Sequence, residues 1–232
     1  MFNSFLDGSK SAIEMTAVAN ACGLAPPRDG LGFPPCGVDQ LADRLKPRSN
    51  GGLLDGPGMV EVVSCEQRDG AAVPGDLRWG VYVTFAAPDD YVRRCFAEYG
   101  LSTDRSGRYA AQWKPYHLIG FELGVSVASV ALRGEPTGVA REFNADVVAV
   151  AKRDLAAGEM LDGECGYTVW GRLMRAAHSL ATDALPLGLA HGVRLKAAAA
   201  EGETLRWSDV EIDEADPSAT FRRDMEAAFK PA

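Results

Sequence analysis

Phe5-Leu6-Asp7-Gly8-Ser9-Lys10-Ser11-Ala12-Ile13-Glu14 opens a largely apolar stretch that continues to Asn20. Its composition and spacing predict a helix. Gly23 favours a helix end, because glycine adopts the left-handed backbone of a C-terminal cap without strain. Pro26-Pro27 then prevents the helix from resuming. The sequence therefore predicts one helix that ends at Gly23.

Three charged side chains stand at the start of this predicted helix. Asp7 can cap it by accepting hydrogen bonds from the backbone N–H groups of the first turn. Lys10 and Glu14 are one helical turn apart and share a face. Charged residues at the start of an apolar helix are more typical of a functional site than of a buried core. A capped surface helix with one weak ion pair is the alternative interpretation.

The region that follows predicts strands alternating with helices. Residues 24–58 form a long loop rich in glycine and proline, interrupted by a short helix at 38–45. Two strands are expected at 59–63 and 77–85, which are rich in β-branched and aromatic residues. The remaining expected elements are a helix from Asp89 or Asp90 to Tyr99, a hairpin turn at 104–109 and a buried helix at 118–132.

The last third of the chain contains a weak internal repeat. Residues 152–161 and 196–205 each carry a lysine, a run of small residues and then Gly-Glu-x-Leu. Gly158 and Gly202 supply the unusual backbone angle of a turn. Each copy therefore predicts a strand that leads into a turn. The tail at 217–230 predicts an amphipathic helix, since its large apolar residues are spaced by four.

Four phrases resemble, in the same order, the catalytic domain of homoserine-dehydrogenase-like NAD(P)-dependent oxidoreductases. This family includes the 1-deoxy-D-xylulose 5-phosphate reductoisomerase-like enzyme. The phrases are residues 5–20, 77–85, 113–120 and 127–137. The repeat, together with residues 185–190 and 207–210, resembles a SAF domain, a small β-clip module that follows the catalytic domain in that family.

The resemblance implies an α+β fold. A mixed sheet with helices, forming the oxidoreductase catalytic domain, is expected at 1–140. A small all-β SAF module is expected at 145–213, and a C-terminal helical tail at 214–232.

The resemblance also implies roles for the charged residues of the first helix. In this kind of site a lysine paired with a carboxylate moves the substrate proton. Lys10 is therefore expected to be the acid/base, and Asp7 is expected to orient it. Glu14 and Asn20 are expected to bind substrate. From the residues alone, an exposed, solvated Lys10 remains an alternative.

A second group of site residues is expected at the start of the predicted buried helix. Lys114, Tyr116 and His117, set by Pro115, are expected to bind a substrate phosphate or carboxylate, because backbone donors at a helix N-terminus point the same way. A hydrogen-bonded structural pair of Tyr116 and His117 is the alternative.

The cofactor of the resembled family is NAD(P), which its members bind with a preceding Rossmann domain. Gly30-Leu31-Gly32 and Gly51-Gly52 lie in proline-rich loops without the strand and helix that a dinucleotide fingerprint needs. The cofactor-binding domain is therefore expected to be missing from this chain, and cofactor-binding residues are unassigned. Glu122 and Glu135 could join Asp7 in holding a divalent metal, but no spacing requires a metal site, so none is assigned.

The net charge and the cysteine content limit which partners the protein can bind and in which cell compartment it is expected. A formal net charge of −8 argues against nucleic acid or an anionic membrane. No apolar run approaches the roughly 20 residues of a membrane span, and the first residues lack a signal-peptide pattern. Five widely spaced cysteines without a Cys-x-x-Cys pair favour a reduced cytoplasmic protein over a zinc protein.

The sequence therefore predicts the substrate-binding and catalytic portion of an NAD(P)-dependent oxidoreductase that acts on a small polyhydroxylated or phosphorylated carbonyl compound. It is expected to be inactive without a Rossmann domain, supplied by a separate polypeptide, and to form a homo-oligomer. The alternative is a non-catalytic SAF-domain protein that binds a sugar or sugar acid, or an assembly-chaperone-like protein.

Overall fold

The computed structural model describes residues 3–229, which divide into two compact units. The central unit comprises residues 32–139. The terminal unit combines the residues up to 31 with those from 140 onward. The predicted first helix therefore belongs with the C-terminal part of the chain. The domain scheme of 1–140, 145–213 and 214–232 stays a prediction, and its last residues, 230–232, lie outside the described residues.

The described residues contain seven α-helices and eight β-strands. The helices are α1 (Asn3–Leu6), α2 (Ser9–Cys22), α3 (Leu41–Arg44), α4 (Asp90–Glu98), α5 (Leu123–Arg133), α6 (Ala176–Thr182) and α7 (Pro217–Phe229). The strands are β1 (Val81–Ala86), β2 (Ser102–Thr103), β3 (Tyr109–Lys114), β4 (Ala145–Ala151), β5 (Met160–Asp162), β6 (Val169–Arg175), β7 (His191–Leu195) and β8 (Val210–Glu211). None of these helices combines the length and the apolar character that crossing a membrane requires.

The α+β class is confirmed, but the single mixed sheet is not observed. The described strands form three small sheets, ordered β1-β3-β2, β4-β6 and β5-β7-β8. Every strand pair in them is antiparallel. Among these described strands, only β2 and β3 are joined by a tight turn, which is the connection that antiparallel strands allow.

The central unit is built on the antiparallel pair of β1 and β3, whose register runs from Val81 opposite Lys114 to Ala86 opposite Tyr109. The predicted turn at 104–109 is confirmed, since it joins β2 to β3. The helix predicted from Asp89 or Asp90 is also confirmed. Asp89 caps α4 by accepting a hydrogen bond from the backbone N–H of Val92.

Two predictions for the central unit are wrong. Residues 59–63 do not form a strand, although Val60 is buried. The helix expected at 118–132 begins only at Leu123, because Gly120 adopts a left-handed backbone (φ 89°) that interrupts a helix. That helix, α5, is also largely exposed rather than buried, and Ser129 is its only buried residue.

The terminal unit packs α2 against β4 and β6. Almost every residue of β4 is buried, which fits its run of alanine and valine. The predicted end of the first helix is confirmed: Gly23 has a left-handed backbone, and its N–H donates to the carbonyl of Ala19. The core of this unit contains fully buried aliphatic residues, namely Val148, Val150, Leu161, Val169, Leu185, Leu195, Leu205 and Val210.

The internal repeat folds into two loops. Each loop donates backbone hydrogen bonds to the other at equivalent positions. Leu155 and Ala199 donate to each other's carbonyl groups at 2.8 and 3.0 Å. Gly158 donates to the carbonyl of Leu195, and the equivalent Gly202 donates to the carbonyl of Ala151. The repeat in the sequence thus corresponds to a repeat in the hydrogen bonding, and the two copies stabilise each other.

Helix α7 is held to the terminal unit by a nearly buried ion-pair network. The guanidinium of Arg222 donates to both carboxylate oxygens of Asp146, at 3.1 and 2.5 Å, and to Glu226 at 2.8 Å. The hydroxyl of Ser179 donates to Asp146 at 2.5 Å. The side chains of Arg222 and Asp146 are 15% and 5% exposed. Removal of one partner therefore leaves a buried charge without compensation.

Replacement of Arg222 by methionine is expected to destabilise the terminal unit. Arg222→Met should lower its free energy of unfolding by about 3 kcal/mol, because Asp146 stays buried without its cation. Urea denaturation followed by circular dichroism measures the change. Arg153→Met, which removes an exposed arginine from the same unit, should leave the urea midpoint nearly unchanged. Equal midpoints for the two variants would contradict this prediction.

Candidate functional site

Lys10 lies in the first turn of α2 and is partly exposed. Its ammonium nitrogen is 2.6 Å from a carboxylate oxygen of Glu14, which confirms that the two residues share a helix face. The same nitrogen lies 5.2 Å from the centre of the Phe5 ring, within the range of a cation–π contact. Lys10 is therefore held by a carboxylate and an aromatic ring, and it remains accessible from solvent.

Asp7 contacts a different lysine from the one expected. One of its carboxylate oxygens is 2.7 Å from the ammonium of Lys152, and both side chains are less than one-fifth exposed. The other oxygen accepts a hydrogen bond from the N–H of Ser9 at 2.8 Å. The residue in the N-cap position of α2 is Gly8, with no side-chain cap. Asp7 thus forms an ion pair with Lys152. The carboxylate that contacts Lys10 belongs to Glu14.

Asn20 fastens α2 to the start of β4. Its side-chain oxygen accepts from the N–H groups of Asn144 and Ala145, at 2.8 and 2.9 Å. Its amide nitrogen donates to the carbonyl of Ala145 at 3.0 Å. Both ends of the amide therefore make structural contacts, and substrate binding by Asn20 stays a prediction.

Lys114, Tyr116 and His117 lie close together, but not at a helix N-terminus. Lys114 ends β3, and the next helix starts only at Leu123. The ammonium of Lys114 lies 4.8 Å from the centre of the Tyr116 ring. It also donates to one carboxylate oxygen of Glu122. The second oxygen of Glu122 is 3.0 Å from Nδ1 of His117.

Glu122 is the centre of this cluster, which sequence reasoning considered only as a metal ligand. Its second carboxylate oxygen also accepts a hydrogen bond from the N–H of Leu118 at 3.1 Å. The hydrogen bond from Lys114 and that from His117 hold the pKa of Glu122 below its usual value, against a smaller opposing effect of desolvation. Lys114, His117 and the Leu118 N–H thus form a set of donors that binds one carboxylate. We call these donors and Glu122 the carboxylate cluster.

The predicted site residues fall into two groups, each described within its own unit. Asp7, Lys10, Glu14 and Asn20 belong to the terminal unit, together with Lys152. The carboxylate cluster and Tyr116 belong to the central unit. In the sequence, Lys152 stands out only as the first residue of the internal repeat. The sequence did not indicate its ion pair with Asp7.

Another ion pair, which the sequence did not indicate, is buried in the central unit. The ammonium of Lys46 is 2.7 Å from a carboxylate oxygen of Asp104, and their side chains are 9% and 3% exposed. The same carboxylate accepts hydrogen bonds from Ser106 Oγ and from the N–H groups of Arg108 and Tyr109. These contacts join the residues after α3 to the β2–β3 turn.

The electrostatics of this pair favour its charged form. Burial opposes ionisation of Asp104, but the hydrogen bonds from Lys46, from the Tyr109 N–H and from Ser106 outweigh it and lower the pKa of the carboxyl. The hydrogen bond to Asp104 is the largest cause that raises the pKa of Lys46. The pair therefore stabilises the contact between the residues after α3 and the β2–β3 turn.

Neither glycine-rich loop has the surroundings of a dinucleotide fingerprint, and the described residues contain no candidate metal cluster. Gly30 follows a turn and Gly51 follows a short 3₁₀ helix, so neither stands between a strand and the N-terminus of a helix. Among residues 3–229, no group of three or more His, Cys, Asp and Glu side chains is placed to hold a metal ion. No step of a reaction is therefore assigned to either group within the described part of the chain.

Comparison with known families identifies the class of this protein. The family model of the catalytic domain of the oxidoreductase DRL matches residues 1–123, which is more than half of the chain. The chain therefore carries an oxidoreductase catalytic domain and belongs to the DRL catalytic-domain family. No curated protein matches it. The matched residues include both groups of predicted site residues and Glu122, whereas Lys152 lies outside them.

The buried pair of Lys46 and Asp104 predicts a specific dependence of stability on pH. The pKa of Asp104 is lower in the folded state, so its stabilising effect is complete above the unfolded-state pKa of about 4 and is lost as the pH falls below it. The difference in unfolding free energy between the wild type and Asp104→Asn should therefore shrink from pH 6 towards about pH 3.

Denaturant unfolding at a series of pH values measures this difference. Asp90→Asn is the matched control, because it removes an exposed carboxylate of the same unit. Its difference from the wild type should be small and nearly independent of pH. A pH-independent difference for Asp104→Asn would show that the pair does not contribute through its charges.

Proposed function

We propose that the chain is the substrate-binding and catalytic portion of an NAD(P)-dependent oxidoreductase that acts on a small polyhydroxylated or phosphorylated carbonyl compound. The observation that carries the proposal is the family match over residues 1–123, which contains both groups of charged side chains. We assign the chain to the homoserine-dehydrogenase-like family of NAD(P)-dependent oxidoreductases that includes the reductoisomerase-like enzyme. The nicotinamide cofactor, on this proposal, is held by a Rossmann domain beyond the described residues.

Lys10 is the proposed acid/base. Reduction of a carbonyl group places negative charge on its oxygen, and a nearby ammonium can stabilise that charge and supply the proton. Its contact with Glu14 at 2.6 Å supports this role, because the carboxylate fixes the direction of the ammonium. Glu14 thus takes the orienting function first expected of Asp7. Asp7 and Lys152 together support the turn that precedes α2.

Lys114, Tyr116 and His117 are the proposed binding groups for the anionic end of the substrate. Their support is the convergence of Lys114 and His117 on a single carboxylate, that of Glu122. Tyr116 orients the lysine through the contact of its ring with the ammonium. These side chains are about half exposed, so a small molecule can reach them.

An apolar surface beside the carboxylate cluster supports the proposal that the active enzyme contains a further polypeptide. Its side chains are each more than half exposed: Ile119, Phe121, Leu123, Val125, Val127, Val130 and Leu132. Contiguous apolar patches larger than a few hundred Å² mark interaction surfaces. We propose that a Rossmann-domain polypeptide or a second copy of the chain covers this surface, as the expected oligomer requires.

The second half of the chain is proposed to be a SAF-like module at 145–213. The support is the exchange of hydrogen bonds between the loops at Leu155 and Ala199, which gives this region an internal symmetry. A non-catalytic protein that binds a sugar or sugar acid is the second candidate function.

The test of the proposed function is turnover with Lys10 altered. The chain is titrated calorimetrically with NADH and NADPH, and is then assayed with sugar phosphates and sugar acids, alone and with a Rossmann-domain partner. Lys10→Gln should lower kcat by about 100-fold or more, which is typical for loss of a general acid. Lys196→Gln, which alters an exposed lysine of the same unit, should retain full activity.

Three outcomes of this assay are decisive. Loss of turnover in Lys10→Gln alone supports the proposed acid/base. Equal turnover of Lys10→Gln and the wild type removes Lys10 from the mechanism. Saturable binding of sugar acids without any turnover, even with the partner present, favours the binding protein over the oxidoreductase.

A further inference from the structure

The carboxylate cluster already contains a bound carboxylate, namely its own Glu122. The two oxygens of this side chain are used separately. One accepts from the Lys114 ammonium, and the other contacts His117 Nδ1 and the Leu118 N–H, at 3.0 and 3.1 Å. The donor set is therefore arranged around a planar group with two oxygens, which is the shape of a carboxylate.

The donors and Glu122 are attached to the chain differently. Lys114 is the last residue of β3 and its side chain is positioned by the Tyr116 ring, so the cation is anchored to the sheet. Glu122 immediately precedes α5 and follows Gly120, which has a left-handed backbone. The space beside Gly120 is open, since a side-chain carbon placed there would meet no neighbouring atom within 4 Å. Glu122 therefore lies next to a glycine with open surroundings, and its own side chain is partly exposed to solvent.

The exchange of Glu122 for an external carboxylate is electrically balanced. The cluster has one carboxylate before and after the exchange, so the cation keeps an anionic partner. The side chain of Glu122 is already 31% exposed, so water is available to solvate the displaced carboxylate. The cost that remains is competition with a carboxylate tethered nearby, which acts at an effective concentration of roughly millimolar or above.

We propose that Glu122 occupies the place of the substrate's carboxylate and leaves it when substrate binds, so that the substrate is an oxo or hydroxy acid. This inference rests on the proposed function, because it takes the carboxylate cluster as the anion-binding part of the substrate site. It narrows the substrate class to compounds with a carboxyl group. It also assigns Glu122 a regulatory role, because the intramolecular carboxylate sets the substrate concentration that the site requires.

The test compares the binding of two small anions by the wild type and by Glu122→Gln. Acetate and inorganic phosphate are the probes, and the NMR signals of the Leu118 amide and the His117 ring report occupancy of the cluster. Loss of the internal competitor should tighten acetate binding by about ten-fold in Glu122→Gln, as removal of a tethered ligand does. The gain for phosphate should be smaller, because the donors match two oxygens in one plane.

Glu135→Gln is the matched control. It changes the net charge of the chain by the same amount, and Glu135 lies in an exposed pair with Arg133 at 3.9 Å, outside the cluster. Its affinity for acetate should equal that of the wild type. The double variant Glu122→Gln/Lys114→Met should lose the gain, because the anchored cation is then absent. Glu122→Asp, with its shorter side chain, should give an intermediate gain and provides a second variant that keeps the charge.

Each outcome supports or overturns the inference. A gain for acetate in Glu122→Gln that Glu135→Gln lacks supports it. Unchanged acetate binding in Glu122→Gln, or an equal gain in both single variants, overturns it. A larger gain for phosphate than for acetate overturns the assignment to carboxylate substrates. The probes require neither cofactor nor turnover, so failure here is distinct from failure of the proposed oxidoreductase activity.

Discussion

The hydrogen bonds of Asn20 hold the terminal unit together, because they join segments 124 and 125 residues apart in the sequence. Ser9 makes a second such connection, since its buried hydroxyl accepts from the N–H of Gly171 at 2.7 Å. Closing so long a loop has an entropic cost that rises only slowly with its length. A small number of buried, directional bonds, together with the packing of α2 on β4 and β6, can therefore offset it. The position of Lys10 and Asp7 depends on this closure, because both residues stand at the start of the helix that it fixes.

Each lysine near the predicted site residues, in both units, is paired with a carboxylate of the same unit. Lys10 has Glu14, Lys114 has Glu122, and Lys152 has Asp7 at 2.7 Å. The two partly exposed pairs, those of Lys10 and of Lys114, contribute little to stability, since solvent screens them. In each pair, the carboxylate fixes the direction of the ammonium group. It also occupies the space beside the ammonium that an external anion would need. The chemistry of these lysines is therefore set by the ease with which each partner can be displaced, and the exposed pairs are displaced more readily than the enclosed pair of Asp7 and Lys152.

Features that depend on neighbours in the sequence could be predicted, whereas features that depend on distant contacts could not. Gly23, the pair of Lys10 and Glu14, the cap at Asp89 and the turn at 104–109 follow from local backbone and side-chain rules, and the structure agrees with them. The failures involve burial and long-range pairing. The apolar composition of α5 indicated a buried helix, but composition does not say whether a covering surface lies in the same unit. The ion pair of Asp7 with Lys152 and that of Lys46 with Asp104 each join segments far apart in the sequence, so no local pattern revealed them.

The division of the terminal unit between the two ends of the chain also has a consequence for synthesis on the ribosome. Helix α2 emerges before β4 and β6, which cover it and follow more than 120 residues later. At about 5–20 residues per second, the helix waits on the order of 10 s for its partners. During that time Ala12 and Ala19, which are buried in the finished protein, face water, while the whole central unit leaves the ribosome and can fold. The central unit can thus finish folding before the terminal unit, although α2 is synthesised before the central unit.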